Sequence, residues 1–260
     1  MAPALVSPRM ATERSIVVLP DADAVAAEAA RRFVDCARQA HQHRGRFVVA
    51  LSGGSTPRRL HGLLTRPPHV DEIDWARTTV LFGDERCVGP GDEESNYRMA
   101  RETLFEHVPI PPGRIHRMLG EAEPASAATD YSHRLHTLFS ADDGPRIDLV
   151  LLGMGPDGHT ASLFPGTLAL REASRWVVAN HVPQLDAWRI TLTFPALNAA
   201  RSVLFMIAGE SKAAVFAEAF GGKPHDLPHP AERVTPKGGG LTVLVDEAAA
   251  GRARTAEPPG

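Results

Sequence analysis

Cysteine is nearly missing from this 260-residue chain: Cys36 and Cys87 stand far apart and outside any CxxC spacing. That scarcity argues against a disulfide scaffold and against a thiolate metal cage. It fits a reducing compartment, so a cytoplasmic location is expected. An excess of one charge is missing too. Lys and Arg number 28 against 31 Asp and Glu, a formal net charge of -3. Strong non-specific binding to nucleic acid needs a clear basic excess, although a local basic pocket stays compatible with this balance. No stretch approaches the roughly 18 apolar residues of a membrane helix. The longest runs, such as residues 203–208, have the length of a buried strand. The opening MAPALVSPRMATERS has prolines and lacks the apolar segment of a secretory signal. Repeats, low-complexity blocks and a convincing linker are absent as well.

What remains is an ordinary globular composition, 43% hydrophobic and 23% charged. The length allows one large domain or two small ones. Residues 16–19 predict a first strand. Residues 22–43 carry Val25, Ala29, Phe33, Ala37 and Ala40 at helical spacing, and Gly45 stands where a helix C-terminal glycine belongs. Residues 47–51 predict a buried strand that runs into SGGSTP and a helix through Leu60, Leu63 and Leu64, with Pro57 in its first turn. Further strands are expected at 78–82, 147–152, 176–179, 189–194, 203–208 and 241–245. Further helices are expected after a Ser95 cap, over 125–139 and over 211–220. Strands separated by helices predict an α/β fold with a mainly parallel sheet. The pattern does not reveal strand order. Residues 1–14 and 248–260 read as flexible tails around a single α/β domain at 15–247, and the Pro- and Gly-rich stretch 221–240 as a long loop.

In open α/β sheets, ligands bind beyond the carboxyl ends of the strands. Three of the expected strands end in loops dense in glycine and polar groups. In the first, Ser52-Gly53-Gly54-Ser55-Thr56-Pro57, the glycines permit close approach of a ligand. The following helix start offers free N–H groups and partial positive charge, which suit a phosphate. The loop is neither a Walker motif nor GxGxxG, and a tight turn with a capped helix is the plainer reading. The second loop holds Asp84-Glu85-Arg86. These side chains could pair on the surface. Alternatively Arg86 could hold a phosphate or a developing oxyanion, and Asp84 could orient a histidine or a sugar hydroxyl. The third, Gly153-Met154-Gly155-Pro156-Asp157-Gly158-His159-Thr160, follows four apolar residues. A histidine there suits a general base acting on water, with Asp157 fixing the loop or polarising a partner. Arg189 at a strand start and Lys212 at a helix start could add positive charge, or could be solvated end residues. The pairs His41/His43 and His133/His136 come without further ligands and read as surface histidines. No GxSxG elbow supports a serine hydrolase.

Together these segments resemble the 6-phosphogluconolactonases. The matching stretches are ALSGGSTP (50–57), LFGDERCV with ESNYRMA (81–100), IDLVLLGMGPDGHTASLFPGT (147–167), RITLTFPALNAA (189–200) and FMIAGESKAAVF (205–216), in the family's order. The resemblance implies an open Rossmann-like α/β fold shared with glucosamine-6-phosphate deaminase. It implies hydrolysis of 6-phospho-D-glucono-1,5-lactone to 6-phosphogluconate, in the oxidative pentose phosphate pathway, without a metal or other cofactor. His159 would be the base, with Arg86 and Asp84 as catalytic neighbours. Gly53, Gly54, Ser55, Thr56, Asp157, Gly158, Arg189 and Lys212 would receive the phosphorylated sugar. The segment 227–236, LPHPAERVTP, is longer than the family's usual turn.

An amino-sugar phosphate deaminase is the nearest rival. Its ring-opening histidine is followed by Ile-Ala-Phe-Asn-Glu, and Phe164 falls here where that glutamate would be. A non-catalytic sugar-phosphate sensor on the same fold is the other alternative. The expected partner is thus a phosphorylated sugar lactone, with no nucleic acid and no membrane. The expected state is a monomer or weak homo-oligomer, with transient contact to glucose-6-phosphate dehydrogenase conceivable.

Overall fold

The computed structural model describes residues 14–139, 144–222 and 225–251. Strand β1 (Arg14–Leu19) leads into α1 (Ala22–Arg44), then β2 (Phe47–Leu51), α2 (Ser55–Leu64), the single turn α3 (His69–Glu72), β3 (Thr78–Phe82), β4 (Asp84–Arg86) and α4 (Asn96–Thr103). The second half runs α5 (Pro124–Leu138), β5 (Leu149–Leu152), β6 (Val177–Val182), β7 (Ala187–Leu192), α6 (Phe194–Leu197), β8 (Ser202–Ile207), α7 (Ala213–Ala219) and β9 (Gly240–Asp246). The α1 boundaries follow directly from its capping groups. Asp21 accepts hydrogen bonds from the Asp23 and Ala24 N–H groups, and Gly45 ends the helix at φ 69°. Its buried stripe, from Val25 through Ala40, packs across β2, β8 and β9.

A six-stranded sheet has the order β1-β9-β8-β5-β2-β3, with every pairing parallel. β2 and β5 lie side by side, with β3 beyond β2 at the sheet edge. From β2 the chain passes outward to β3, whereas from β5 it passes the other way to β8 and β9. The loops leaving β2 and β5 therefore diverge and open a crevice at the strands' carboxyl ends. Those loops are 52–54 and 153–160. Strands buried on both faces read as unbroken apolar runs, as Phe47–Leu51 and Leu149–Leu152 do. This open, mainly parallel sheet is the architecture expected from the sequence.

A second, three-stranded sheet has the order β4-β7-β6 and is antiparallel. Its existence corrects the reading of 83–86 as a loop. Gly83 donates to the Leu51 carbonyl and accepts from the Leu192 N–H, so the chain passes from one sheet to the other at that residue. β6 and β7 form a hairpin whose turn ends at Asp186, φ 43°. Helix α5 packs on β6 and β7, and Tyr131 of α5, fully buried, accepts a 2.9 Å hydrogen bond from the Phe82 N–H. The expected tails fall mostly outside the described residues, but Arg14 already belongs to β1. At the other end Ala249 is buried and its N–H donates to Asp246 Oδ1 at 2.7 Å, so 248–251 form a packed turn rather than part of a tail. Within 221–240 a 3-10 turn, Pro230–Arg233, buries Pro230 and Ala231.

His61 of α2 is completely buried. The Thr103 hydroxyl donates to the Met99 carbonyl and so accepts from His61 Nδ1–H at 2.8 Å, leaving Nε2 without a partner among the described residues. Burial, helped by the Arg58 charge, drives its pKa down to about 4. An unfolded histidine protonates near pH 6.5, while this one stays neutral until about 4. The unfolded state thus binds more protons across that window, and stability falls as pH falls through it. Between pH 7 and 4.5 the chain should lose about 2–3 kcal/mol through this group. Urea unfolding of the natural chain and of His61→Leu at both pH values measures it, and equal losses in the two would contradict this account.

Candidate functional site

The β2 and β5 loops, the start of α2, strand β4 and the segment after β8 enclose a pocket of about 300 Å³. Its walls include Ser52 through Thr56, Asp84, Arg86, Asn96, Gly155, His159 and Lys212. The three loops singled out in the sequence therefore meet in one place. α2 starts at Gly54, φ 113°, and no side chain caps it. Its first-turn N–H groups stand at the pocket wall with the positive end of the helix. Ser52 Oγ, buried in the same wall, has no hydrogen-bond partner among the described residues. A Cβ on Gly53 would lie 1.9 Å from Asn96 Oδ1, so that position must be glycine for the loop to pass under α4.

His159 Nδ1 lies 2.6 Å from Asp157 Oδ1. The carboxylate accepts, so Nδ1 carries the proton and Nε2 keeps a free lone pair. Burial works against the charge on Asp157, but the hydrogen bond and charge of His159 outweigh it and hold the carboxyl below its ordinary range. On its face the imidazole stacks on Phe164, with ring centres 4.0 Å apart and 25° between planes. Gly155 makes room for the pair. A Cβ there would fall 2.2 Å from the imidazole and 2.7 Å from Asp157 Oδ1. The Gly155 N–H donates to the His159 carbonyl and the Gly158 N–H to that of Gly155, closing the loop on itself.

Period-two alternation along β4 turns Asp84 and Arg86 to the pocket and Glu85 away from it. Asp84 Oδ2 accepts from Ser162 Oγ at 2.7 Å, and the Asp84 carbonyl accepts from Asn96 Nδ2. Asp84 thus does not orient the histidine; Asp157 does. Arg86 is steadied by the Glu94 carbonyl at 2.7 Å. The Glu85 carboxylate accepts from the N–H groups of Arg86, Asn96 and Tyr97 and from Ser95 Oγ, which fastens β4 to the start of α4. Burial pushes its pKa up, against the pull of those N–H groups.

Lys212 Nζ donates to the Met154 carbonyl and lines the pocket. Burial lowers its pKa, opposed by the Asp157 charge. Arg189 is placed differently from what the sequence suggested. It is the cross-strand partner of Arg86, donates to the Trp188 carbonyl, and lines a neighbouring hollow with Cys87, Glu94 and Trp188. Burial, and then the Arg86 charge, lower its pKa. Asp157 and Gly158 stand behind the wall, one holding His159 and the other shaping the loop at φ 79°. Sequence reasoning did not single out Asn96, Glu85 or Ser162 for the site. The Ser95 cap signalled the start of α4 but not that Asn96 would reach Gly53. Among the described residues no three His, Cys, Asp or Glu side chains converge as metal ligands. The donors facing the pocket suit an anion.

The family model described as glucosamine-6-phosphate isomerases/6-phosphogluconolactonase matches residues 20–243. The chain belongs to this family. Within the glucosamine-6-phosphate isomerase/6-phosphogluconolactonase family, a 6-phosphogluconolactonase of Nostoc sp. is 38% identical over 242 residues, covering 92% of this chain and 98% of that protein. One of Streptomyces coelicolor is 36% identical over 259 residues, covering 96% and 99%. The solved 6-phosphogluconolactonase from Trypanosoma cruzi superposes with a TM-score of 0.80 at 28% identity, over 95% of this chain and all of that one (100%). A monomeric glucosamine-6-phosphate deaminase, 21% identical with a TM-score of 0.75, shares the fold.

The clearance at Gly155 is testable. In Gly155→Ala the Asp157–His159 pair should separate while the sheet stays intact. A crystal structure of the variant with the imidazole unmoved would contradict the packing described.

Proposed function

We propose that the chain hydrolyses 6-phospho-D-glucono-1,5-lactone to 6-phosphogluconate. The observation that carries this reading is the Asp157–His159 pair set in one pocket with the uncapped start of α2 and two cationic side chains, Arg86 and Lys212. The names of the family relatives agree with it. The phosphate sits at the SGGST turn, against the α2 N–H groups and the Ser52, Ser55 and Thr56 hydroxyls, with Lys212 beside it. Nε2 of His159 removes a proton from water as the water oxygen attacks C1. Arg86 stabilises the negative charge that develops on the former carbonyl oxygen. As the tetrahedral species collapses, the C1–O5 bond breaks and the imidazolium returns its proton to O5, leaving the open-chain acid. Asp84, its Oδ2 taken by Ser162, offers its other oxygen to a sugar hydroxyl.

A lactone is an activated ester, and a positioned base supplies typically about a hundred- to ten-thousand-fold. Phosphate binding far from C1 holds the ring in place. At position 164 the imidazole meets an aromatic ring where the deaminases' carboxylate would stand, so the lactonase reading is preferred over the deaminase one. The same proposal covers a cytoplasmic enzyme, monomeric or weakly self-associating, supplied with lactone by glucose-6-phosphate dehydrogenase. The described residues, with Arg14 in β1 and 248–251 packed against Asp246, complete it as one catalytic domain.

With lactone generated in situ, 6-phosphogluconate should form faster than spontaneous hydrolysis allows. His159→Ala should keep the circular dichroism of the fold and lose about a hundredfold or more in kcat; turnover near the natural rate would remove the assignment. Lys212→Ala should raise KM with a smaller change in kcat. Arg189→Ala should raise KM less than Lys212→Ala does, since Arg189 faces the adjoining hollow; the reverse ranking would place the phosphate between Arg86 and Arg189.

A further inference from the structure

The lactonase reading leaves unused a cluster of four titratable side chains directly behind the catalytic loop. His229 Nε2 lies 2.8 Å from Glu218 Oε2 on α7, and His225 Nε2 lies 2.9 Å from Glu232 Oε2. The two imidazoles stack with centres 5.1 Å apart and 24° between planes. Two of the four, His229 and Glu232, belong to the stretch 227–236. The cluster does not open onto the pocket. Instead it meets Gly158, the residue between Asp157 and His159. Gly158 has φ 79°, and a Cβ there would lie 2.5 Å from His229 Nδ1 and 2.7 Å from His229 Cγ. The His229 ring thus lies against bare Gly158 backbone. Two residues on, the Ala231 N–H donates to the Gly158 carbonyl at 3.0 Å.

We propose that His229 is a positioning residue: held by Glu218, its ring backs Gly158 and keeps Asp157 on His159. The inference rests on the lactonase reading for its kinetic consequence, though not for its structural one. The Asp157–His159 bond joins residues two apart in sequence, on either side of a glycine. Glycine loses more conformational freedom on ordering than any other residue. The loop's own bonds, from the Gly155 and Gly158 N–H groups, restrain it from inside. Asp157 is 44% exposed at its side chain, so neighbouring packing leaves it room to turn away. The His229 ring and the Ala231 N–H supply the restraint from outside. Glu218 matters because it fixes the plane of that ring from another element, α7, which is itself built into the fold. A carboxylate acceptor makes the His229 Nε2–H bond a charge-assisted one. Loss of the ring would free Gly158 to move by a fraction of a residue length. Misplacement of about 1 Å far from the chemistry is enough to cost up to a hundredfold in rate.

The test uses the full chain with His229→Ala, His229→Gln and Glu218→Ala. Two quantities are read: the kinetics of lactone turnover, and the low-field proton resonance of His159 Nδ1–H, which reports the bond to Asp157 whether or not lactone turns over. His229→Ala should lower kcat about ten- to a hundredfold with KM within about twofold, and the resonance should broaden or vanish. His229→Gln keeps an N–H for Glu218 and should restore most of both. Glu218→Ala, a surface change on α7, should give an intermediate loss. A resonance and kcat unchanged in His229→Ala would overturn the proposal, as would equal losses in His229→Gln and His229→Ala. If His229→Ala does not fold, an unchanged resonance in Glu218→Ala overturns it alone. Were the natural chain inactive on the lactone, the lactonase reading would fall, while the resonance would still decide the role of His229.

Discussion

A 2.6 Å hydrogen bond between Asp157 and His159 decides what the pocket can do. It places the proton on Nδ1 and leaves the Nε2 lone pair free, as the proposed attack by water requires. Without it the imidazole would sample both tautomers and several rotamers, and Nε2 would be wrongly aimed for much of the time. The bond tolerates few neighbours. Gly155 cannot carry a side chain, Gly158 must take a left-handed conformation, and Phe164 must lie flat against the ring. These demands come from separate stretches of the GMGPDGHTASLF string, which explains why the string reads as one unit although its residues do different jobs.

Strand β4 solves a different problem. An arginine beside a pocket has many rotamers and needs a rigid base. Here three residues, Asp84–Arg86, are built into an antiparallel sheet with β7. Alternation sends the outer two side chains to the pocket and the middle one inward. The buried Glu85 would be costly as an isolated charge. Its acceptors are taken up by the N–H groups of Arg86, Asn96 and Tyr97 and by the Ser95 hydroxyl, at the positive end of α4. Removing the carboxylate would leave several donors unpaired at once, so the same group that costs desolvation holds β4 and α4 in register.

Much of this was legible in the sequence because it rests on local rules. Apolar runs of strand length, a glycine at the end of α1 and glycine-rich loops after β2 and β5 announced the parallel sheet and the crevice. The string around His159 announced a histidine at that crevice. What escaped was non-local. Nothing in DER shows that these residues form a strand, because the partner strand β7 lies a hundred residues on and a three-residue strand has no periodicity to read. Arg189 looked like a pocket cation because it opens a strand near the others in the family pattern. Its register opposite Arg86 puts the two side chains on one face of the small sheet, where Arg189 lines the hollow adjoining the pocket, and register is a property of the pairing rather than of either segment. Asn96 and Ser162 are likewise unremarkable polar residues until the fold brings them to Gly53 and Asp84. His61 was passed over for the opposite reason: an apolar helix face gives no hint that one of its buried members is an imidazole bonded to Thr103.

The ring at position 164 bears on the kind of chemistry the site favours. A carboxylate there would stabilise an imidazolium and suit repeated proton shuttling through the histidine. Phe164 instead covers one face of the imidazole with an apolar surface, which excludes water from that side and offers no charge of its own. In the proposed mechanism the imidazolium formed during attack would be supported by Asp157 at the ring edge and would exist only until the C1–O5 bond breaks. That is sufficient for an activated ester, whose leaving oxygen needs one proton from a base that has just acquired it. It is poorly matched to a reaction that must open a ring and then deliver protons to successive carbon and nitrogen centres. The apolar contact at 164 and the single carboxylate at 157 therefore point the same way: toward one water, one proton taken and the same proton returned.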